Sequence, residues 1–437
     1  MAPNKDIFCN SPWYELHIYW DGRLGICCQE SHKLYSEDQT QYNVATMSIG
    51  DWFNSEPVRQ FRLGMLGPTR QSACLQCYTE EQFSGTSRRH KCNQKSVIFT
   101  KSNFAESYLQ SPGYQHFKHT QENAGAYDGR PVDVHIDLGN FCNLACKMCH
   151  PGASSTIASQ YAQWGLIDGT KSIGVDWTKS TEVWNRVLNE LADIEKLNNI
   201  HFMGGETLIT RRFEDFIDYM IERGRLDLNL SFVTNGTTFN ERLINKLKRF
   251  NRVGIEVSIE TLTEHNEYVR QGTDNQQLVA NIKQYIAHCN DTNITLTVRP
   301  AVSLLTIGYY PTLLRYCLEN KLVVHSLLAT HPQHLDARIL PKKIKQLYLK
   351  DYQELLADCT NETIYGDYNE RDPNQYARII KDQVIMCMNI LESTTTDNSN
   401  ELLKEMVAQC RRWDNVYGYN ARALYPELTE IFDQYGY

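Results

Sequence analysis

Nowhere along the chain is there an apolar run long enough to span a bilayer, and the opening Met-Ala-Pro-Asn-Lys-Asp lacks the apolar core of a secretion signal. Both absences lead to the expectation of a cytoplasmic protein with no membrane contact. Positive charge is short as well. Against 52 Asp and Glu stand 44 Lys and Arg, a formal charge of −8, which argues against nucleic acid as a standing partner. The basic runs Arg88-Arg89-His90-Lys91 and Lys342-Lys343-Ile344-Lys345 read as solvated faces. No internal repeat recurs along the sequence, so a solenoid or propeller is not expected.

Cysteine is what the chain does have, fourteen in 437 residues. In a reducing compartment, cysteines at ligand-like spacings argue for metals over disulfides. Cys142, Cys146 and Cys149 stand in the run Gly139-Asn140-Phe141-Cys142-Asn143-Leu144-Ala145-Cys146-Lys147-Met148-Cys149-His150. Three thiolates at Cys-x3-Cys-x2-Cys spacing can wrap three corners of a cubane iron-sulfur cluster, leaving the fourth iron without a protein ligand. The competing reading is a closed Cys3His zinc site completed by His150, which would be structural.

The surroundings separate the two. Residues 132–138 alternate Val, Val and Ile with Asp, His and Asp, and read as a strand feeding into the cysteine loop. A helix over 154–165 follows. The triad then sits at the carboxyl end of a strand, where α/β barrels place their active sites. The next strand, 199–203, ends in Gly204-Gly205-Glu206. Two glycines let backbone approach a ligand, and the carboxylate can accept hydrogen bonds from an ammonium group. A zinc site gives no reason for such a turn.

The same rhythm continues. Helices are predicted over 211–223, 240–250, 265–290 and 310–320. Strands are predicted over 227–233, which ends in Thr234-Asn235-Gly236, and over 253–259, 293–299 and 322–328. Six strands alternating with helices imply a parallel, right-handed α/β sheet. From residue 341 onward the pattern is helical, with polar connectors at 367–375 and 394–400 and an aromatic tail over 417–425 that could cap the barrel or contact substrate.

A second constellation lies ahead of this sheet. Residues 15–20 alternate like a strand, Asp21-Gly22 makes a tight turn, and 23–26 leads into Cys27-Cys28. Cys9, Cys27, Cys74 and Cys77 can close on one metal centre. Four cysteines in two pairs are also the ordinary ligands of a zinc ribbon, so zinc remains the rival here. Cys28 could substitute for Cys27. For Cys28, Cys92, Cys289, Cys317, Cys359, Cys387 and Cys410 the plain reading is a small buried hydrophobe.

The Cys142 run followed by Gly204-Gly205-Glu206 resembles the signature of the radical S-adenosylmethionine enzymes. The arrangement Cys9-x12-Gly22-x4-Cys27 followed by Cys74-x2-Cys77 resembles the first half of the SPASM auxiliary-cluster motif. The truncated form of that motif is called a twitch domain, and the order Cys9-x-x-Pro12-Trp13, Arg62-Leu63-Gly64-Met65-Leu66, Cys74-x2-Cys77, Ser87-Arg88-Arg89, the Cys142 triad and Ser154-Ser155 resembles the twitch-domain-containing radical proteins of bacteriophages and marine bacteria. The SPASM continuation is absent, since the next cysteine after Cys77 is Cys92. One auxiliary cluster is therefore the limit.

The resemblance implies a partial (β/α)6 TIM-like barrel over 131–340, preceded by a small metal-binding twitch domain (1–100) and a linker (101–130) and followed by a helical C-terminal region (341–437). It implies a 4Fe-4S cluster on Cys142, Cys146 and Cys149 and S-adenosylmethionine as co-substrate, with an auxiliary 4Fe-4S cluster on Cys9, Cys27, Cys74 and Cys77. Gly204, Gly205 and Glu206 would take the methionyl amine, Ser258 and Arg270 its carboxylate, and Glu260 the ribose, with Asn235 as a further cofactor contact. Met148 would lay an apolar edge against adenine. An electron donor such as flavodoxin or ferredoxin is implied. The substrate is expected to be a peptide or protein side chain, with a nucleotide or sugar derivative next, and the alternative class is a non-catalytic metal-binding sensor.

Overall fold

A computed structural model describes residues 4, 6–30, 42–84, 87–95, 112–168, 176–361, 375–394 and 398–437. The connector read at 367–375 lies outside them except for Gln375, as do the middle of the connector at 394–400 and the first eleven residues of the expected linker. The chain divides into two compact units. One comprises Met1–Cys142, Pro151–Phe232 and Asn245–Val253, and the other Asn143–His150, Val233–Ile244 and Gly254–Tyr437.

In the first unit, β1 (Glu15–Ile18) turns through Gly22, at φ +84°, into β2 (Leu24–Gly25), with His17 opposite Gly25. β1 also pairs in parallel with β3 (Asp133–Asp137), and β3 with β4 (Asn199–Met203). β4 continues the parallel pairing onto the start of β5 (Asn229–Thr234). The period-two pattern is borne out. Val134, Ile136, Ile200, Phe202, Leu230 and Phe232 are all buried, and Phe202 and Phe232 meet Phe213 of helix Arg211–Glu222 edge-on or tilted at 5.0 and 4.9 Å between ring centres. Each such ring contributes roughly 1.5–3 kcal/mol through burial, so this layer fixes the register of the strands above it.

The N-terminal segment is pinned by Arg62, a fully buried guanidinium. It donates to the carbonyls of Pro12 (2.9 Å) and Phe53 (2.7 Å) and to Asn54 Oδ1 (3.1 Å), with its charged plane over the Phe53 ring. Burial lowers its pKa to about 10. The basic run Arg88-Arg89 is likewise no solvated face. Arg89 is buried, paired with Glu81 at 2.6 Å and bonded to the Phe8 carbonyl at 2.9 Å. The sequence reading erred because a guanidinium can be buried where carbonyls and carboxylates converge on its five donors.

The second unit holds the end of β5, β6 (Arg252–Val257) from Gly254 onward, β7 (Ile294–Val298) and β8 (Val323–Val324), in the order β8-β7-β6-β5. The strand expected over 322–328 is split. Beyond Val298 the chain reaches Pro300, which has no N–H for a ladder, and a separate parallel pair forms between Ala301–Val302 and Leu327–Leu328. The helix expected over 265–290 is also interrupted. Helix Glu264–Val269 stops, Arg270–Gln271 becomes a two-residue strand against Ala145–Cys146, and helix Asn275–Cys289 starts anew behind Asp274, whose side chain accepts from Gln277 N. Gly272, at φ +96°, makes the break possible, and Gly-Thr-Asp was its sequence signal.

The C-terminal region is helical as expected, with helices Lys342–Asn361, Gln375–Glu392 and Ser399–Tyr417 followed by short turns. Its aromatic tail packs inward. Tyr425 is fully buried against His265, Tyr268 and Tyr309. Among the described residues no helix is long and apolar enough to cross a membrane.

Candidate active site and auxiliary metal centre

Cys142 belongs to the first unit and Cys146 and Cys149 to the second. In the first unit, the turn after β3 is shaped by Gly139 at φ +74°. The backbone of Cys142 is held on both sides: its N–H donates to Ser155 Oγ at 3.2 Å and its carbonyl accepts from Thr156 Oγ1 at 2.7 Å. Both hydroxyls sit at the start of helix Ser155–Gln163, which Ser154 caps through Ile157 N.

The Gly204-Gly205-Glu206 turn lies against this loop. Glu206 N donates to the Phe141 carbonyl at 2.8 Å. Both glycines have positive φ, and a Cβ on Gly205 would stand 2.2 Å from Phe141 O, so no other residue fits without moving the loop. Glu206 is buried and its Oε1 accepts from Leu208 N at 3.0 Å, capping the short turn Thr207–Ile209. Gly205→Ala is expected to weaken S-adenosylmethionine binding by roughly tenfold or more while circular dichroism stays native, because the strain falls on the loop rather than the core. Equilibrium dialysis with labelled cofactor checks this, and unchanged affinity would show that the loop does not meet the ligand.

In the second unit, the two-residue strand pairing sets Cys146 beside Arg270, whose Nη1 lies 3.6 Å from the sulfur. Cys149 N bonds the Cys146 carbonyl at 3.0 Å, closing the turn between these two thiols. Burial pushes the Cys149 thiol up, partly offset by the His150 backbone and Arg270. Glu260 is fully buried and holds Arg270 through both oxygens, and its Oε1 also accepts from Ala301 N at 3.2 Å. Burial works against the Arg270 charge, but Glu260, Cys146 and Cys149 outweigh it and keep the guanidinium firmly protonated. Asn235 donates to Asn143 Oδ1 at 2.8 Å, joining the end of β5 to the cysteine segment. Ser258, at the end of β6, is bonded through its N–H to the Thr234 carbonyl at 2.9 Å.

Cys9, Cys27, Cys74 and Cys77 do come together in the first unit, lining one small cavity with Gln29, Glu30, Arg88 and Arg89. Among the described residues no three His, Cys, Asp or Glu side chains approach closely enough to share a single ion. The donor set, four thiols around an enclosed space, fits a cluster held from its corners. Burial raises the Cys74 thiol to about 12 and Cys77 to about 11, so metal must displace protons on binding. Burial also lifts Glu30 to about 7, against pulls from Ile26 N and Arg23, which spares the thiols part of a neighbouring negative charge. Cys92 is buried beside the set, 3.3 Å from Glu15 Oε1. Cys289, Cys317, Cys359, Cys387 and Cys410 are buried, as expected.

Sequence reasoning missed the polar face of β1, β3 and β4. His17, His135, His201 and Ser231 are cross-strand partners in one row. Arg88 joins this row to the cysteine cavity, donating to both Glu15 oxygens at 3.0 Å and to His135 Nε2 at 3.1 Å, while His17 Nε2 lies 3.2 Å from Asp137 Oδ1 and His201 Nδ1 2.6 Å from Ser231 Oγ. The alternation was visible in sequence. Period two says only that the faces differ, not that the polar one is buried too.

Residues 136–307 match the radical SAM superfamily and residues 9–78 the SPASM iron-sulfur cluster-binding domain. The chain is 20% identical over 140 residues to the sporulation killing factor maturation protein SkfB of Bacillus subtilis, covering 32% of this chain and 29% of that protein. It is 26% identical over 142 residues to GTP 3′,8-cyclase of Syntrophomonas wolfei, covering 32% and 38%. It is also similar to the crystal structure of Streptococcus suis SuiB bound to S-adenosylmethionine, with 14% identity, a TM-score of 0.37 and coverage of 65% and 58%. The chain thus spans about a third of the length of these curated relatives.

Proposed function

Because the chain carries a radical SAM domain with a SPASM iron-sulfur domain ahead of it, we propose that it abstracts hydrogen from a peptide or protein side chain. Cys142, Cys146 and Cys149 would hold a 4Fe-4S cluster, and Cys9, Cys27, Cys74 and Cys77 an auxiliary one. Held at the Cys142 triad with S-adenosylmethionine, such a cluster would supply the electron for reductive cleavage of the sulfonium bond to a 5′-deoxyadenosyl radical. The observation that carries the reading is the Gly204-Gly205 turn pressed against the Phe141 carbonyl beside Cys142, a backbone surface without side chains where a cofactor amine can lie.

Glu206 would complete that surface with a carboxylate, and Ser258, Asn235 and Arg270 would face the methionyl group. Glu260 would act chiefly through Arg270, since that is where both its oxygens point. The row Arg88, His135 and His201 gives the strand face hydrogen-bonding groups for a polar substrate. A donor such as flavodoxin or ferredoxin would supply the electron.

The similarity to a killing-factor maturation protein supports a polypeptide substrate. The similarity to GTP 3′,8-cyclase favours a nucleotide as the second reading. The two separate in one experiment: reconstituted protein is given deuterated peptides from the producing cells in one arm and deuterated nucleotides in the other, under reductant and without air. Deuterium in 5′-deoxyadenosine from the peptide arm is the expected result. Label from the nucleotide arm alone would overturn the peptide assignment.

A further inference from the structure

Lys147 stands between Cys146 and Cys149, and its side chain is withdrawn from solvent, the residue being 6% exposed. Among the described residues its ammonium has no hydrogen-bond partner. Instead it lies 4.1 Å from the ring centre of Tyr268, 4.5 Å from Trp413, 5.4 Å from Tyr417 and 5.9 Å from Tyr419. An ammonium stripped of water is costly to bury unless something replaces its hydration shell. Aromatic faces at these distances do so. Trp413 and Tyr417 belong to helix Ser399–Tyr417, Tyr419 follows it, and Tyr268 lies in helix Glu264–Val269, which leads into Arg270.

The backbone is fixed at the same place. Lys147 N donates to the Val269 carbonyl at 2.8 Å, and Ala145–Cys146 pairs with Arg270–Gln271. Lys147 opens the turn that Cys149 N closes onto the Cys146 carbonyl, so a lysine locked in the aromatic box holds that turn in place while Arg270 meets the Cys146 thiol. The backbone pairing sets the height of this segment and the box sets its rotation.

We propose that Lys147 is a positioning residue through which the C-terminal helix clamps the Cys146–Cys149 segment in its ligating orientation. The proposal rests on the reading of these two cysteines as cluster ligands. It gives the C-terminal region, which contributes no expected ligand, a role at the cluster.

The test is hydrogen exchange on the cluster-free chain, followed over residues 143–150. Lys147→Met keeps the apolar stem and removes the charge, Tyr417→Leu leaves the lysine and removes a ring, and Lys147→Arg restores a cation. Exchange over 143–150 is expected to quicken roughly threefold to thirtyfold in the first two variants, as fits loss of a desolvated cation–aromatic contact, and to stay near wild type in Lys147→Arg. Helix Thr181–Asp193 of the other unit should not change. In reconstituted protein the first two variants should also lose iron faster to a chelator. Exchange within twofold of wild type in both, or Lys147→Arg as fast as Lys147→Met, would overturn the clamp. Should Lys147→Met fail to fold, Tyr417→Leu decides. A wild-type chain that held no iron at the triad would sink the functional reading, while the exchange result would still decide the clamp.

Discussion

Replacing any one of Cys142, Cys146 or Cys149 with alanine is expected to abolish reductive formation of 5′-deoxyadenosine. A cubane with an open iron has only three protein ligands, so two thiolates cannot hold it. The loss should exceed roughly a hundredfold, far beyond what a change in cofactor affinity alone produces. The folds of the two units do not depend on these side chains. Cys142 is placed by its backbone bonds to Ser155 and Thr156, and Cys146 by strand pairing. Native circular dichroism with about four irons remaining on the auxiliary site should therefore accompany the loss. A variant that still cleaves S-adenosylmethionine at the wild-type rate would mean that the triad is not the cluster site.

The double variant Cys74→Ala, Cys77→Ala is expected to separate two activities. Cleavage of S-adenosylmethionine by strong reductant should persist, because none of the expected cofactor contacts lies among residues 9–78. Conversion of the substrate should stop. The physical ground is the chain of contacts running from the cysteine cavity through Arg88 to Glu15 and His135 on the strand face, which ties the auxiliary centre to the surface proposed for substrate. Iron content and substrate turnover are measured together. A folded variant with about four irons that converts substrate normally would reduce this centre to a structural clip, as would zinc in place of iron in the wild type.

Much of this was legible in the sequence because period two and period 3.6 are strong over long elements. The strand expected over 199–203 is found with those bounds, and that over 132–138 within one residue at each end. The hairpin at Asp21-Gly22 followed from turn chemistry alone. What could not be read was local interruption and buried polarity. The break at Gly272 is marked only by the short Gly-Thr-Asp signal, set against apolar residues that keep helical spacing on both sides of it, yet it makes the strand that sets Arg270 beside Cys146. Arg62, Arg88 and Arg89 look alike in sequence to any surface arginine, since only tertiary structure brings the Pro12 and Phe53 carbonyls to Arg62, Glu15 to Arg88 and the Phe8 carbonyl to Arg89. The box around Lys147 escapes any local pattern, its rings lying more than a hundred residues further along the chain.

The central claim is that this chain cleaves S-adenosylmethionine at a cluster held by Cys142, Cys146 and Cys149. It is tested most directly by quantifying 5′-deoxyadenosine after anaerobic reconstitution, reduction and addition of S-adenosylmethionine, beside a variant with all three cysteines changed to alanine. Product that grows with time and protein in the wild type and is absent from the variant is the predicted result; wild-type protein that carries about eight irons yet forms no more 5′-deoxyadenosine than the variant would contradict it.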